Sequence, residues 1–219
     1  MNHSTNGTNA SAGSMFQPKA SPVDLGLKRG FDVTLSSVGL LISSSLWLLI
    51  AILVKREDGG PVFYTQTRTG RNGVPFRVLK FRSMVVDAER ETGAVWATQN
   101  DPRVTRIGRI LRATAMDELP QLWNIFRGDM SFVGPRAERP DLVAQFVQDI
   151  PGYKDRFRVR PGLTGLAQVY GQYDTPARHK LKYDKLYIRR QSFCLDLKLI
   201  LSSFLITFRG KWEYRGKKA

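Results

Sequence analysis

Apolar and polar positions divide the chain into three zones. Residues 1–26 are rich in Ser, Asn, Thr, Gly and Ala, with Lys19 and Asp24 the only charged side chains. So few apolar groups cannot offset the entropy of ordering them, and a disordered polar tail is expected there. No basic start followed by an apolar run precedes it, so no cleavable signal peptide is expected. From Val33 to Val54 run 22 residues without a formal charge. At about 1.5 Å per residue a straight helix of this length reaches about 33 Å, enough to cross a bilayer core. Two features compete with a plain span. Ser43, Ser44 and Ser45 stand in the middle of the run, and serine hydroxyls that bond back to the i−4 carbonyl bend helices. Lys28-Arg29 and Lys55-Arg56 flank both ends, and positive charge retained on the cytoplasmic side would hold both ends together. Three arrangements stay open: a re-entrant hairpin over residues 27–57, a straight span, and a buried core helix.

The third zone, residues 58–210, alternates like a folded domain. Pro61-Val62-Phe63-Tyr64 and Phe76 to Phe81 read as short strands around a turn at Gly70 to Gly73. Helical spacing follows at Thr105–Thr114, Glu118–Phe126, Pro140–Gln148 and Thr175–Arg189. The last apolar stretch, Ser192 to Phe208, carries Asp196 and Lys198. It is too short to span a bilayer after them, and reads as an interfacial or core helix. A basic tail, residues 211–219, closes the chain. The class is α/β, mostly α, without a repeat of fixed period.

Charge sharpens this picture. Lys and Arg number 34 against 19 Asp and Glu, a net charge of +15. Such an excess calls for an anionic partner: nucleic acid, an anionic membrane or a phosphorylated substrate. One cysteine, Cys194, excludes an internal disulfide framework. With only His3 and His179 present, a Ser-His-Asp triad and a multi-histidine zinc site are both poorly served.

The candidate chemistry centres on Asp117-Glu118-Leu119-Pro120. Thr114 with Asp117 fits helix capping, and Pro120 fits a first helical turn. The chemical alternative uses the same place: a helix start attracts phosphate, one carboxylate attacks phosphorus, and its neighbour holds a divalent cation. Arg103, Arg106, Arg109 and Arg112 recur every three residues. Most of that stripe reads as a solvated or membrane-facing surface, while Arg112 is near enough in sequence to serve Asp117. Ser131 to Arg136 is a tight turn presenting an arginine, and Arg160 to Gly171 is a glycine-punctuated loop that could close over a ligand. Neither is a Walker sequence. Basic residues interleaved with aromatics would also suit single-stranded nucleic acid, but the uncharged run beside them argues for a membrane home and no nucleic acid.

In order, these segments resemble the bacterial sugar transferases, the monotopic polyprenyl-phosphate phosphoglycosyl transferases. The resemblance rests on Lys28-Arg29-x-Phe31-Asp32, Gly60-Pro61-Val62-Phe63 and Lys80-Phe81-Arg82-Ser83-Met84. It continues through Asp117-Glu118-Leu119-Pro120-Gln121, Gly128 to Arg136, and Arg160-Pro161-Gly162-Leu163-Thr164-Gly165. It implies a compact membrane-associated catalytic domain with a re-entrant helix-break-helix and interfacial amphipathic helices, at the cytoplasmic face of the bacterial inner membrane. It further implies that Asp117 is the nucleophile toward a UDP-sugar, releasing UMP through a covalent phosphosugar. Glu118 would ligate Mg²⁺, and Lys80, Arg82, Arg112, Arg136, Arg160 and Gln168 would bind substrate. Polyprenyl (undecaprenyl) phosphate would be the acceptor, the step initiating a cell-surface glycan, with anionic lipid as a further partner and a homo-oligomer compatible with the chain. Where the family carries Ser-Pro at the membrane break, this chain has Ser44-Ser45, so serine back-bonding and Gly39 must supply the bend. The chain is similar to the short members, without the additional membrane-spanning domain. A non-catalytic scaffold of a glycan assembly complex is the alternative, and it predicts no UMP release.

Overall fold

The computed structural model describes residues 22–90, 101–171 and 175–208. The expected tail as far as residue 21 and the basic tail 211–219 lie outside the described residues. In chain order the elements are α1 (Pro22–Asp58), β1 (Phe63–Thr69), β2 (Pro75–Phe81), α2 (Arg106–Ala113), α3 (Gln121–Arg127) and β3 (Ser131–Val133). Then come α4 (Pro140–Asp149), β4 (Gly162–Thr164), α5 (Leu166–Tyr170), α6 (Ala177–Arg190) and α7 (Phe193–Phe208). This is the mostly helical α/β architecture that the apolar spacing predicts.

Helix α1 starts at Pro22, inside the stretch whose composition suggested a tail, and runs 37 residues to Asp58. The break expected at Ser44-Ser45 does not interrupt it. The hydroxyls bond within the helix instead: Ser43 Oγ donates to Gly39 O at 2.6 Å and Ser44 Oγ to Leu41 O at 2.8 Å. Ser36 and Ser37 do the same to Asp32 O and Val33 O. Such back-bonding satisfies the hydroxyls without a partner from elsewhere.

Both ends of α1 are fastened to the same body. Near its start, Lys28 Nζ lies 2.5 Å from Asp196 Oδ2 on α7 and donates to Val133 O of β3. Arg29 donates to the carbonyls of Ile125 and Phe126, at the C-terminal end of α3, both at 2.7 Å. The guanidinium thus caps the end of α3, adding a second bond to Ile125 O, which also accepts from Gly128 N, and bonding Phe126 O. Buried Asp32 accepts from Ser131 Oγ and Phe132 N. At the far end, Glu57 accepts from the main-chain N–H groups of Arg106 and Ile107, the opening turn of α2, where an anion is favoured. Asp58 pairs with Arg82 through both carboxylate oxygens.

Two apolar clusters fill the interior beneath this helix. Ile125, Met130, Val133, Tyr187, Ile188 and Leu199 form the larger, against which Leu35 and Leu40 pack. Ile50 and Val54 bury with Phe81 and Leu111 in the smaller. The opposite side of α1 exposes Leu41, Ile42, Leu48, Leu49, Ile52 and Leu53. Its most apolar 18-residue window has mean hydropathy 2.3 and is only 11% buried, which overturns the core-helix arrangement. A bare apolar surface of this length suits lipid rather than water.

The hairpin predicted around Gly70 is present, with antiparallel register from Phe63↔Phe81 to Thr69↔Pro75. Asn72 and Gly73 turn it in the left-handed region, at φ 57° and 79°. The parallel pair β3–β4, Ser131↔Gly162 and Val133↔Thr164, stands where the sequence pattern predicts one turn and one loop. Three residues are too few to show alternation.

Candidate active site

The acidic pair sits on a turn that the sequence does not announce. Thr105 caps α2, its Oγ1 accepting from Gly108 N at 2.9 Å. After α2, Ala115 adopts φ 55°, left-handed, and swings the chain into a 3-10 turn, Met116–Glu118. Pro120 then opens α3 with no side-chain cap bond. The capping role expected for Thr114 and Asp117 is therefore corrected. Thr114 Oγ1 donates back to Ile110 O at 2.7 Å, and Asp117 is released to face the interior of the site, 9% exposed.

Two cations from distant segments converge on this turn. Lys80, on β2, places Nζ 2.5 Å from Glu118 Oε1 and 4.0 Å from Asp117 Oδ2. Arg136, just beyond β3, places Nη2 2.9 Å from the same Glu118 oxygen. These neighbours drive the two carboxylates apart. Burial pushes Glu118 toward its proton, but Lys80 and Arg136 outweigh burial and hold it well below the ordinary carboxylate range. Asp117 is pushed up to about 6, first by burial and then by the charge of Glu118, against Lys80, Arg112 and Arg136. One carboxylate is a fixed anion. The other is unusually basic, which suits a nucleophile.

The remaining sequence candidates separate. Arg112, in the last turn of α2, is close enough for its charge to act on Asp117. Arg82 is not part of the constellation. Its guanidinium is consumed by Asp58 and by Pro61 O at 2.6 Å, and the pairing holds the Asp58 carboxyl at about 2. Arg160 donates from Nε to Gly128 O at 2.9 Å. Gly128 closes α3, so Arg160 serves the end of that helix remote from Asp117, about 10 Å away at 1.5 Å per residue. Gln168, on α5, has both amide atoms buried without a hydrogen-bond partner among the described residues, the acidic pair included.

Among the described residues no group of three or more His, Cys, Asp or Glu side chains comes together, which excludes an all-protein metal cage there. A pair of adjacent carboxylates is nonetheless the set that Mg²⁺ uses when phosphate oxygens and water complete its shell. Asp117 and Glu118 fit that requirement.

Sequence reading missed how Arg136 is held. Four consecutive carbonyls of its loop each accept a hydrogen bond: Pro135 O from Gly162 N (2.9 Å), Arg136 O from Arg156 Nη2 (2.9 Å), Ala137 O from Arg68 Nη1 (3.2 Å), and Glu138 O from Thr69 N (2.9 Å). No spacing signals Arg68 or Arg156, since main-chain carbonyls as partners leave no trace in sequence.

Exposed apolar side chains lie on α2 and α3, the helices that flank the acidic turn, and on α7. Trp123 and Phe126 of α3 stack on each other at 5.6 Å and are exposed. Ile110 of α2, and Phe193, Leu197, Leu201, Phe204 and Leu205 of α7, are exposed as well.

Over residues 23–210 the chain matches the family described as bacterial sugar transferase. It is 42% identical over 201 residues to the UDP-glucose:undecaprenyl-phosphate glucose-1-phosphate transferase of Klebsiella pneumoniae, covering 90% of this chain and 42% of that protein. It is 40% identical over 193 residues to the UDP-N-acetylgalactosamine-undecaprenyl-phosphate N-acetylgalactosaminephosphotransferase of Aeromonas hydrophila, covering 87% of this chain and 45% of that one. It is also 41% identical to the exopolysaccharide production protein PSS of Rhizobium leguminosarum bv. phaseoli, over 86% of this chain and 99% of the relative. The chain thus spans less than half the length of the first two and nearly all of the third.

Proposed function

This chain belongs to the bacterial sugar transferase family, and from that premise we propose that it moves a sugar 1-phosphate from a UDP-sugar to undecaprenyl phosphate, releasing UMP. The observation that carries the reading is the buried Asp117–Glu118 pair clamped by Lys80 and Arg136. Asp117 attacks the β-phosphorus. The bond from that phosphorus to the bridging oxygen breaks, and UMP leaves with the electron pair. An acyl-phosphate sugar then stands on Asp117, and an oxygen of undecaprenyl phosphate attacks the same phosphorus. The acyl-phosphate bond breaks, returning Asp117 as a carboxylate and giving the lipid diphosphate sugar, a two-step exchange with ping-pong kinetics.

The basicity of Asp117 supports the first step, since burial and the charge of Glu118 raise its carboxyl to about 6 and so strengthen it as a nucleophile. Lys80, Arg112 and Arg136 supply positive charge where the leaving phosphate gathers negative charge. Glu118, kept ionised beside the nucleophile, is the residue proposed to hold Mg²⁺. The chemistry that ion supplies is neutralisation of the diphosphate, so that two anions can approach. The relatives' names specify different sugars, so the donor is established by assay. Purified protein in lipid, given Mg²⁺, undecaprenyl phosphate and a panel of UDP-sugars, is expected to release UMP with at least one donor. Silence with every donor, in folded lipid-bound protein, would favour the non-catalytic scaffold.

We further propose that α1 enters the bilayer from the cytoplasmic face and returns to it by bending at its back-bonded serines while staying helical. Support comes from Lys28 and Arg29 at one end, and Glu57 and Asp58 at the other, all tied to one globular body. A straight span would carry one of these ends across the bilayer, away from partners that stay behind. With exposed Cys194 replaced by Ser, cysteines at Leu27 and Arg56 are expected to label from the same, cytoplasmic, side. Labelling from opposite sides would sink the re-entrant arrangement.

A further inference from the structure

We infer that Arg156 is a positioning residue for the transfer, setting Arg136 against Glu118 through the Arg136 main chain. The inference rests on the transferase reading of the Asp117–Glu118 pair. Arg136 needs such help because its side chain is 49% exposed. Its guanidinium bonds Glu118 at the far end, and half of the side chain between is open to solvent, so the reach to Glu118 is set by where the backbone is held.

Arg156 is built to hold that backbone. Its side chain is 3% exposed, on the 3-10 turn Tyr153–Arg158. Nη2 donates to Arg136 O at 2.9 Å and lies 2.9 Å from Asp184 Oδ2 of α6. Nη1 donates to Tyr153 Oη at 2.5 Å, and the guanidinium carbon stands 5.0 Å from the centre of the Tyr153 ring. A buried guanidinium is costly unless paired, and Asp184, itself 3% exposed, supplies the pair. The planar fork then spends one arm on a neighbour and the other on the carbonyl of the residue that grips Glu118. Lysine, a point charge without the fork, cannot reproduce both. Three pieces of the fold, α6, the 3-10 turn and the loop after β3, are thereby tied at Arg136, the residue of that loop that reaches Glu118.

The test is a double-mutant cycle on UMP release by the full chain in lipid. Arg156→Lys in the parent is expected to lower kcat by about 10- to 100-fold, the scale of displacing a positioned group by about an ångström, with little change in KM for the donor. In an Arg136→Met background the same substitution is expected to change the remaining rate less than about twofold, because nothing is left for Arg156 to position. The pair Arg156→Met/Asp184→Asn, which leaves no unpaired buried charge, repeats the comparison if Arg156→Lys folds poorly. Equal losses in both backgrounds would assign Arg156 to general stability and overturn the inference, as would full activity of a folded Arg156→Lys protein. A parent that releases no UMP would overturn the transferase reading and this inference with it, so the two failures are distinguishable.

Discussion

Asp117→Asn is expected to lower UMP release by about 10³-fold or more while leaving the fold at least as stable as the parent. Asparagine keeps the shape of the side chain but offers an amide oxygen that cannot form the acyl-phosphate. Without lipid acceptor, the parent should retain label from a donor carrying radioactive β-phosphorus, and the variant should retain none. The stability half follows from the proton balance. The folded protein raises Asp117 from 3.8 to about 6, so at neutral pH the fold holds an ionised group it disfavours. That strain is absent below the unfolded value and fully present above about 6. A neutral amide removes it together with the repulsion from Glu118, and the midpoint of thermal unfolding is expected to stay level or rise by a few degrees. A variant that keeps the parent's rate and label would place the nucleophile elsewhere. A variant that loses activity only because it unfolds would remove the support that burial gives to the reading.

The helices were legible where one side chain settles a boundary. Thr105 and Thr114 bracket α2 in sequence and bracket it in the structure, and Pro140 opens α4 as a first-turn proline should. The site was legible in residue type and less so in assembly. Asp117, Glu118, Lys80 and Arg136 do meet, although 38 residues separate Lys80 from Glu118. Arg82 shows why spacing misleads: β2 carries Lys80 and ends one residue before Arg82, yet the arginine binds the chain's own Asp58. A guanidinium takes a carboxylate as readily as a phosphate, and only the fold decides which is within reach. The capping pattern at Thr114–Asp117 failed for a different reason. A left-handed alanine, Ala115, is a position that residue propensity argues against, so no sequence rule would place a sharp turn there. That uncommon conformation is also what aims the acidic pair, in keeping with strain that gathers at functional sites.

Gly162→Ala is expected to cost about 4 kcal/mol or more and to lower the melting midpoint by about 10 °C or more, the largest effect on stability foreseen here. Gly162 is the third residue of the Arg160-Pro161-Gly162 segment, where β4 lies alongside β3. A Cβ there would stand 2.0 Å from Gly134 N, 2.3 Å from Thr164 O and 2.7 Å from Gly134 Cα. All three are main-chain atoms, so no side chain can rotate away, and the two strands must part. Parting breaks the bonds from Gly162 N to Pro135 O and from Gly134 N to Thr164 O. The first of these is one of the four that hold the loop of Arg136, so loss of UMP release should accompany loss of stability. Gly30→Ala is the control. It lies in α1 with nothing within 4 Å of its Cβ position, and is expected to stabilise by about 0.5–1 kcal/mol. Thermal unfolding of both variants in lipid separates the explanations. If Gly162→Ala melts within a few degrees of the parent, the close approach of β3 and β4 is wrong. If it melts early, the glycines of the two motifs are there because backbone must touch backbone, and the arginine they position reaches Glu118 only as a consequence.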